Sequence, residues 1–139
     1  MSDTLRSAQA FFHACETGEG WEGCKQYCAE GATFHAQSGA IADITTLEAY
    51  CDWMKGLLTL MPDGRYELKS FAHDAERNAV LGYAVFHGTH TGEGGPVPPT
   101  GKATASDYVY HIEIDAAGKV SHMVKIWNDS HALAELVWG

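Results

Sequence analysis

The sequence predicts a single α+β domain in which helices and one curved antiparallel sheet enclose a mainly apolar pocket. Apolar residues recur at three- and four-residue steps in most of the first half, whereas the second half shows the two-residue alternation of strands. The 139 residues suit one core, and no linker, repeat or low-complexity segment divides them. We therefore expect one domain over residues 1–139, with its sheet curled around the helices.

Three helices are predicted before the long strands. Residues 3–17 carry apolar side chains on one helical face, and residues 21–29 form a shorter helix that stops at Gly31. A third helix begins at the capping box of Thr45 and Glu48, where the two side chains bond free amides at a helix start. This helix ends before the turn Pro62-Asp63-Gly64.

The remaining elements are strands and one closing helix. Residues 32–36 form a short strand, and strands follow at 66–71, 79–87, 103–115 and 119–127. Residues 73–78 form a polar connection, and residues 91–100 form a loop rich in Gly and Pro. The strand 79–87 is apolar on both faces, which predicts a central strand covered on both sides. Asn128 or Asp129 caps the last helix, whose inward residues are Leu133, Leu136 and Val137.

The composition excludes several classes of function. Nine basic against eighteen acidic residues give a formal net charge of −9, and no basic cluster offsets it, which argues against a nucleic-acid partner. No apolar run approaches the roughly 18 residues that a membrane span needs. The N-terminus lacks the pattern of a signal peptide, so we expect a cytoplasmic protein without a membrane partner.

The cysteines and histidines are not expected to bind a metal. Cys24 and Cys28 are four residues apart on the predicted second helix, but a zinc site needs two more ligands and usually a closer spacing. We interpret them, with Cys15 and Cys51, as thiols of the core. His87 and His90 are three apart on or near a strand and point to opposite faces. We therefore predict neither a metal nor a cofactor.

Four segments resemble the NTF2-like superfamily, whose cone-shaped (cystatin-like roll) domains include SnoaL-like polyketide cyclases and ketosteroid isomerases. They are Glu30–His35, Pro98–Lys102, Gly118–Met123 and Lys125–Asp129 with the Ala-Leu helix behind it. The resemblance covers nearly the whole chain and implies the cone-shaped fold, an apolar pocket, and a homodimer formed through the sheet.

The functional residues implied by the resemblance are only partly present. The isomerases' helix-one tyrosine falls at Phe11, their carboxylate base falls at about Ala36, and a second hydrogen-bond donor falls near Tyr110. The aspartate of SnoaL-type cyclases falls at or beside Lys125, and a shift of four residues brings in Asp129. Isomerase chemistry of that design is therefore not expected, and the cyclase reaction is in question.

Strand alternation selects the candidate catalytic residues. On strand 103–115 the inward face should carry Tyr108 and Tyr110, either as core residues or as hydroxyl donors to a carbonyl or enolate oxygen. Lys125 on the next strand should lie in apolar surroundings that lower its pKa, unless it pairs with a carboxylate or reaches solvent. His35 is a candidate base, although alternation from Phe34 places it on the opposite face. The predicted catalytic set is completed by Asp129.

The predicted substrate-binding wall consists of Phe34, Trp53, Tyr108, Met123 and Trp127. Our leading hypothesis is a SnoaL-like enzyme that performs cofactor-independent acid/base chemistry on a small carbonyl or polycyclic compound. A non-catalytic ligand-binding domain is the main alternative, because a fold does not fix a function. A third alternative is an interaction module with a filled cone and an apolar outer sheet face.

Overall fold

A computed structural model describes residues 2–138 and confirms the α+β architecture. Its helices are α1 (Asp3–Glu16), α2 (Gly20–Cys24), α3 (Leu47–Leu60) and α4 (Asp129–Leu136). Its strands are β1 (Cys28–Ala36), β2 (Arg65–Asp74), β3 (Ala79–Thr89), β4 (Ala103–Ile114) and β5 (Val120–Trp127), in the spatial order β1-β5-β4-β3-β2. The five strands form one curved, unclosed sheet. No helix among the described residues has the length and apolar character needed to cross a membrane.

The first helix carries the aromatic centre of the core. The Ser2 hydroxyl caps α1 by accepting a hydrogen bond from the Leu5 amide at 3.1 Å. Phe12, on the buried face of α1, makes edge-on contacts with Tyr66 and Tyr110, with ring centroids 5.1 and 5.4 Å away. These contacts fix the helix across the inner face of the sheet, and Glu16, its last residue, is buried with the same face.

The predicted second helix is wrong in its C-terminal half. Helix α2 ends at Cys24, a 3-10 turn covers Lys25–Tyr27, and β1 begins at Cys28. Cys24 and Cys28 therefore do not share a helical face. Strand β1 pairs with β5 in the parallel direction, so one pair departs from the antiparallel sheet that we predicted. This long-range pairing outweighs the local helical pattern of residues 25–29.

The start of α3 lies one residue later than predicted. The Thr46 hydroxyl, rather than that of Thr45, accepts the capping hydrogen bond from the Ala49 amide at 3.2 Å. The Thr45 carbonyl accepts a hydrogen bond from the Phe34 amide at 2.9 Å. Thr45 is thus held by strand β1, which leaves Thr46 as the cap.

The exposure of β3 and the end of β2 also differ from the predictions. Strand β3 lies between β2 and β4, but only one of its faces is covered in the chain, and Leu81 and Tyr83 are 41% and 39% exposed. Strand β2 continues through His73 to Asp74, which pairs with Ala79. These two residues therefore belong to the strand and not to the polar connection.

The last helix has a different inward face from the predicted one. Asn128 is its cap, and its buried residues are Ala132 and Leu136. Val137 is 59% exposed, because the helix has ended and this residue takes a left-handed conformation with φ of +59°. Its side chain therefore turns away from the core.

Gly56 gives a direct test of helix energetics in α3. A Cβ at this exposed helical position would meet no atom within 4 Å. Since glycine weakens a helix interior, we expect Gly56→Ala to raise the free energy of unfolding by about 0.5–1 kcal/mol in urea denaturation. Gly92→Ala is the contrast, because its Cβ would lie 1.9 Å from the Thr59 carbonyl oxygen. Stabilisation by both substitutions would contradict this interpretation.

Candidate functional site

A cavity of about 530 Å³ lies between α3, α4 and the inner face of the sheet. The loop that follows β3 completes its wall with Glu93, Gly94 and Pro96. Most of the lining side chains are apolar, among them Trp53, Leu57, Phe86, Leu133, Trp127 and Trp138. Glu16, Tyr108 and Lys125 contribute polar groups to this apolar wall. Few polar groups in an apolar concave wall are typical of a small-molecule site.

Lys125 is buried at this wall inside a group of aromatic rings. It lies on β5 opposite Tyr110 of β4, and it is 5% exposed. Its Nζ donates a hydrogen bond to the Tyr50 hydroxyl at 2.9 Å. The nearest ring centroid, that of Trp127, is 4.5 Å from Nζ. The centroids of Tyr50, Tyr108, Trp53 and Tyr110 follow within 5.7 Å. Such rings attract a cation electrostatically while they exclude water from it.

Glu16 is the negative counterpart of Lys125 in this site. The carboxylate is 1% exposed and accepts hydrogen bonds from two tyrosines. Tyr108 donates to Oε1, and Tyr110 donates to Oε2 at 2.6 Å. Each tyrosine hydroxyl has one proton to donate, so these bonds leave the hydroxyl oxygens free to accept.

Two tyrosine hydroxyls connect the lysine to the carboxylate. The Tyr50 hydroxyl is hydrogen-bonded to the Tyr110 hydroxyl. Because Tyr110 gives its proton to Glu16, Tyr50 must be the donor to Tyr110, and Lys125 donates to Tyr50. The hydrogen bonds therefore all point from the ammonium group toward the carboxylate. Among the described residues, Lys125 and Glu16 form no direct ion pair.

The burial of these groups shifts their pKa values in opposite directions. Burial raises the pKa of Glu16, although attraction to Lys125 and hydrogen bonds from Tyr108 and Tyr110 oppose this shift. Burial lowers the pKa of Lys125 to about 8, against the attraction of Glu16. Burial, followed by the charge of Glu16, raises the pKa of Tyr108 and Tyr110. Their hydroxyls therefore stay protonated near neutral pH and remain donors.

The structure places the nine predicted site residues in three groups. Lys125, Trp53, Tyr108 and Trp127 line the main cavity, and Tyr110 lies directly behind them in the hydrogen-bonded chain. Phe34 and Met123 are buried, but they are not part of the cavity lining. Phe34 instead stacks on Tyr50, with ring centroids 4.2 Å apart. Phe34 therefore supports the tyrosine that accepts the hydrogen bond from Lys125.

His35 and Asp129 lie in a second cavity of about 540 Å³, at the ends of β1 and β5. Lys125 and Trp127 also line this cavity, so the two spaces share one wall. The Asp129 carboxylate accepts a hydrogen bond from the Ala40 amide at 2.9 Å. His35 is exposed, as the alternation from Phe34 predicts.

Glu16 and Tyr50 are site residues that the sequence analysis missed. Glu16 lies four residues after Phe12, so the periodicity of α1 already places it on the apolar face. A carboxylate on such a face is rarely buried without a partner, and this was the available signal. Tyr50 lies on the apolar face of α3, where the pattern cannot distinguish a core tyrosine from a hydrogen-bond donor.

Solved structures with the same architecture support this fold. AclR from Streptomyces galilaeus, described as a candidate hydroxylase, is 21% identical, with a TM-score of 0.78 over 99% of this chain and 82% of its own. IdmH from Streptomyces antibioticus, described as a candidate polyketide cyclase, is 18% identical, with a TM-score of 0.76 over 98% of this chain and 99% of its own. A candidate SnoaL-like polyketide cyclase from Shewanella putrefaciens is 13% identical, with a TM-score of 0.77 over 100% of this chain and 88% of its own. At these identities the likeness establishes the fold alone.

The sequence itself carries a family signature. No curated protein sequence matches the chain. The family model for the SnoaL-like domain matches residues 8–123, which include α1 from Ala8 to Glu16, α3 and the strands β1 to β4. The chain therefore belongs to the SnoaL-like domain family.

Proposed function

We propose that this protein is a SnoaL-like enzyme that catalyses proton transfer on a small, largely apolar carbonyl or polycyclic compound without a cofactor. One observation carries the proposal. Glu16 and Lys125 are two buried groups of opposite charge in one apolar cavity, and two tyrosines connect them. Paired groups whose pKa values are shifted by their surroundings are characteristic of acid/base sites.

Lys125 is proposed to bind the substrate oxygen. An ammonium group has three donors, and among the described residues only the Tyr50 hydroxyl accepts from Nζ. Two donors are therefore free for a carbonyl oxygen in the cavity. As the substrate loses a proton from carbon, negative charge develops on this oxygen, and a positive donor in a site without water stabilises that charge strongly.

Glu16 is proposed to take the proton from the substrate carbon. The C–H bond breaks, the proton moves to the carboxylate, and the electron pair is delocalised onto the carbonyl oxygen beside Lys125. A carboxylate with a raised pKa is a stronger base than an ordinary glutamate. Tyr108 and Tyr110 hold its two oxygens in place.

The cavity walls support an aromatic or polycyclic substrate. Trp53 and Trp127 meet edge to face at the cavity, with ring centroids 6.1 Å apart. Flat apolar molecules pack well against such rings. One solved structure of the same fold, TerC, was co-crystallised with polyporic acid; it is 16% identical, with a TM-score of 0.71. We place His35 and Asp129 outside the reacting centre, because they line the second cavity and not the first.

We also retain a homodimer as part of the proposal. Leu81, Tyr83 and Ile126 are apolar or aromatic side chains exposed at the sheet strands β3 and β5. Exposed apolar side chains of this size favour association. A second copy of the chain on this face would cover the uncovered side of β3.

The proposal is tested by hydrogen exchange on candidate substrates. A panel of polycyclic ketones and quinones with acidic C–H bonds is incubated in D₂O with the protein, and mass spectrometry follows the deuterium incorporated. We expect Lys125→Met, which keeps an unbranched side chain one atom shorter but removes its charge, to slow exchange at least about tenfold. Lys102→Met is the matched control, because Lys102 is exposed and does not line the cavity.

Two outcomes would contradict the proposal. Equal rates for the wild-type protein and Lys125→Met would remove Lys125 from the reaction. A ligand that binds in the cavity while the wild-type protein exchanges no proton would favour the alternative, a non-catalytic binding domain. The deuterium measurement distinguishes these outcomes, because it follows a bond in the ligand rather than its affinity.

A further inference from the structure

Three cysteines from three helices meet at one point in the core. Cys15 is on α1, Cys24 is the last residue of α2, and Cys51 is on α3. Their sulfur atoms all lie within 4.8 Å of one another, and each residue is fully buried. The spacing of these residues in the sequence, 9 and 27 positions, gave no sign of this cluster. We call it the thiol cluster.

We propose that the thiol cluster is a binding site for a trivalent thiophilic element, of which arsenic(III) is the probe. The proposal is independent of the proposed enzyme activity, because the three sulfurs are not needed for proton transfer. Soft thiolate ligands select soft elements over the hard cations that prefer oxygen. Among the described residues, no carboxylate or imidazole joins this cluster, so it offers sulfur alone.

The geometry requires only a small contraction. A centre with sulfur ligands at about 2.3 Å holds its sulfur atoms roughly 3.5 to 4 Å apart. The sulfur atoms need to approach one another by no more than about 1.3 Å from the 4.8 Å limit, and rotation of the side chains can supply this. The three helices pack against one another, so the three positions are already preorganised.

Because the thiol cluster is buried, it favours a ligand that forms an uncharged complex with the three sulfur atoms. An uncompensated charge in an apolar interior is strongly unfavourable. Three thiolates around a monovalent or divalent ion leave a net negative charge, whereas three thiolates around arsenic(III) leave none. Cys15 also adjoins Glu16, which adds negative charge nearby. A neutral complex is therefore the form that this site favours.

The binding reaction is balanced without any change of oxidation state. Arsenous acid, As(OH)₃, exchanges its three hydroxyl groups for the three thiols. Three As–O bonds and three S–H bonds break, three As–S bonds and three O–H bonds form, and three water molecules leave. The neutral hydroxide carries no charge that would oppose its passage into the core.

Native mass spectrometry of the reduced, full-length protein with sodium arsenite tests the proposal. We expect one arsenic per chain, with a mass that corresponds to the loss of three water molecules from protein plus arsenous acid. Loss of only two waters would mean that two thiols bind and one hydroxyl remains, and it would overturn the three-thiol site. An unchanged protein mass at millimolar arsenite would overturn the site altogether.

The fourth cysteine supplies a matched control. Cys28 is part of β1, is not buried, and does not belong to the cluster. We expect Cys28→Ala to bind arsenite as the wild-type protein does, whereas Cys24→Ala should bind at least tenfold more weakly and lose no third water. Equal binding by Cys24→Ala and the wild-type protein would contradict the proposal.

A second measurement is needed if Cys24→Ala does not fold. Ligand binding to the native state raises the melting temperature, so arsenite should raise that of the wild-type protein and of Cys28→Ala. No rise in either protein would contradict the site. A disulfide between two cluster cysteines in the protein purified without reductant, found by peptide mapping, would indicate a redox pair instead and would also contradict it.

Discussion

Glu16→Ala is expected to lower the free energy of unfolding by about 3–5 kcal/mol at pH 6, because it removes one member of a buried pair of charges. Lys125 would lose the attraction of the Glu16 carboxylate, and the hydroxyls of Tyr108 and Tyr110 would lose their acceptor. Urea denaturation followed by circular dichroism measures the change. Glu22→Ala is the control, since Glu22 is exposed and its ion pair with Lys25 is a surface pair worth little.

The effect of Glu16→Ala on the free energy of unfolding should become smaller as the pH rises and Lys125 loses its charge. The folded protein lowers the pKa of Lys125 from 10.5 to about 8, so burial of this lysine is most unfavourable below pH 8. Between pH 8 and 10.5 the unfolded chain binds more protons at this lysine than the folded chain, and the lysine's contribution to stability rises with pH. Without Glu16 the pKa of Lys125 should fall further, since the carboxylate raises it.

The difference in the free energy of unfolding between the wild-type protein and Glu16→Ala should therefore narrow as the pH rises toward about 8, where Lys125 loses its charge in the wild-type protein as well. What remains at high pH is the loss of the tyrosine hydrogen bonds and of packing. Glu16→Gln keeps the volume and one acceptor, so it should destabilise the protein less than Glu16→Ala. A Glu16→Ala protein as stable as the wild-type protein at pH 6 would show that the carboxylate and the ammonium group do not support each other.

The fold and part of the site could be predicted from sequence periodicity, because burial imposes that periodicity directly. The inward face of β4, with Tyr108 and Tyr110, follows from the two-residue alternation of a sheet with one covered face. Lys125 was found in the same way, as a charged residue on an apolar face. The same reasoning applied to α1 would have found Glu16, four residues after Phe12.

Other features depend on contacts between distant parts of the chain. The parallel pairing of β1 with β5 determines where α2 ends, and the backbone bond between Thr45 and Phe34 determines where α3 begins. Neither contact leaves a local pattern. The chain of hydrogen bonds from Lys125 to Glu16 likewise cannot be predicted from the sequence. Tyr50 and Tyr110, which form one of these bonds, are 60 residues apart.

The rate of the proposed reaction should fall about tenfold for each pH unit above the pKa of Lys125 near 8, and thus about a hundredfold at pH 10. The physical reason is that the charged ammonium group stabilises the developing enolate, and this group loses its proton as the pH rises through about 8. Deuterium incorporation into a substrate, measured from pH 6 to pH 10, gives the profile. Circular dichroism at each pH confirms that the protein remains folded.

Lys125→Met tests whether deprotonation of Lys125 causes this decrease in rate. Its residual rate should be low and should show no fall near pH 8, since the group that titrates there is gone. On the acidic side, the rate should fall as Glu16 takes up a proton, at a pH above the ordinary range of glutamate because burial raises its pKa. A wild-type rate that increases through pH 8 would reverse the assignment: the neutral amine of Lys125 would then be the base, and Glu16 would serve to position it.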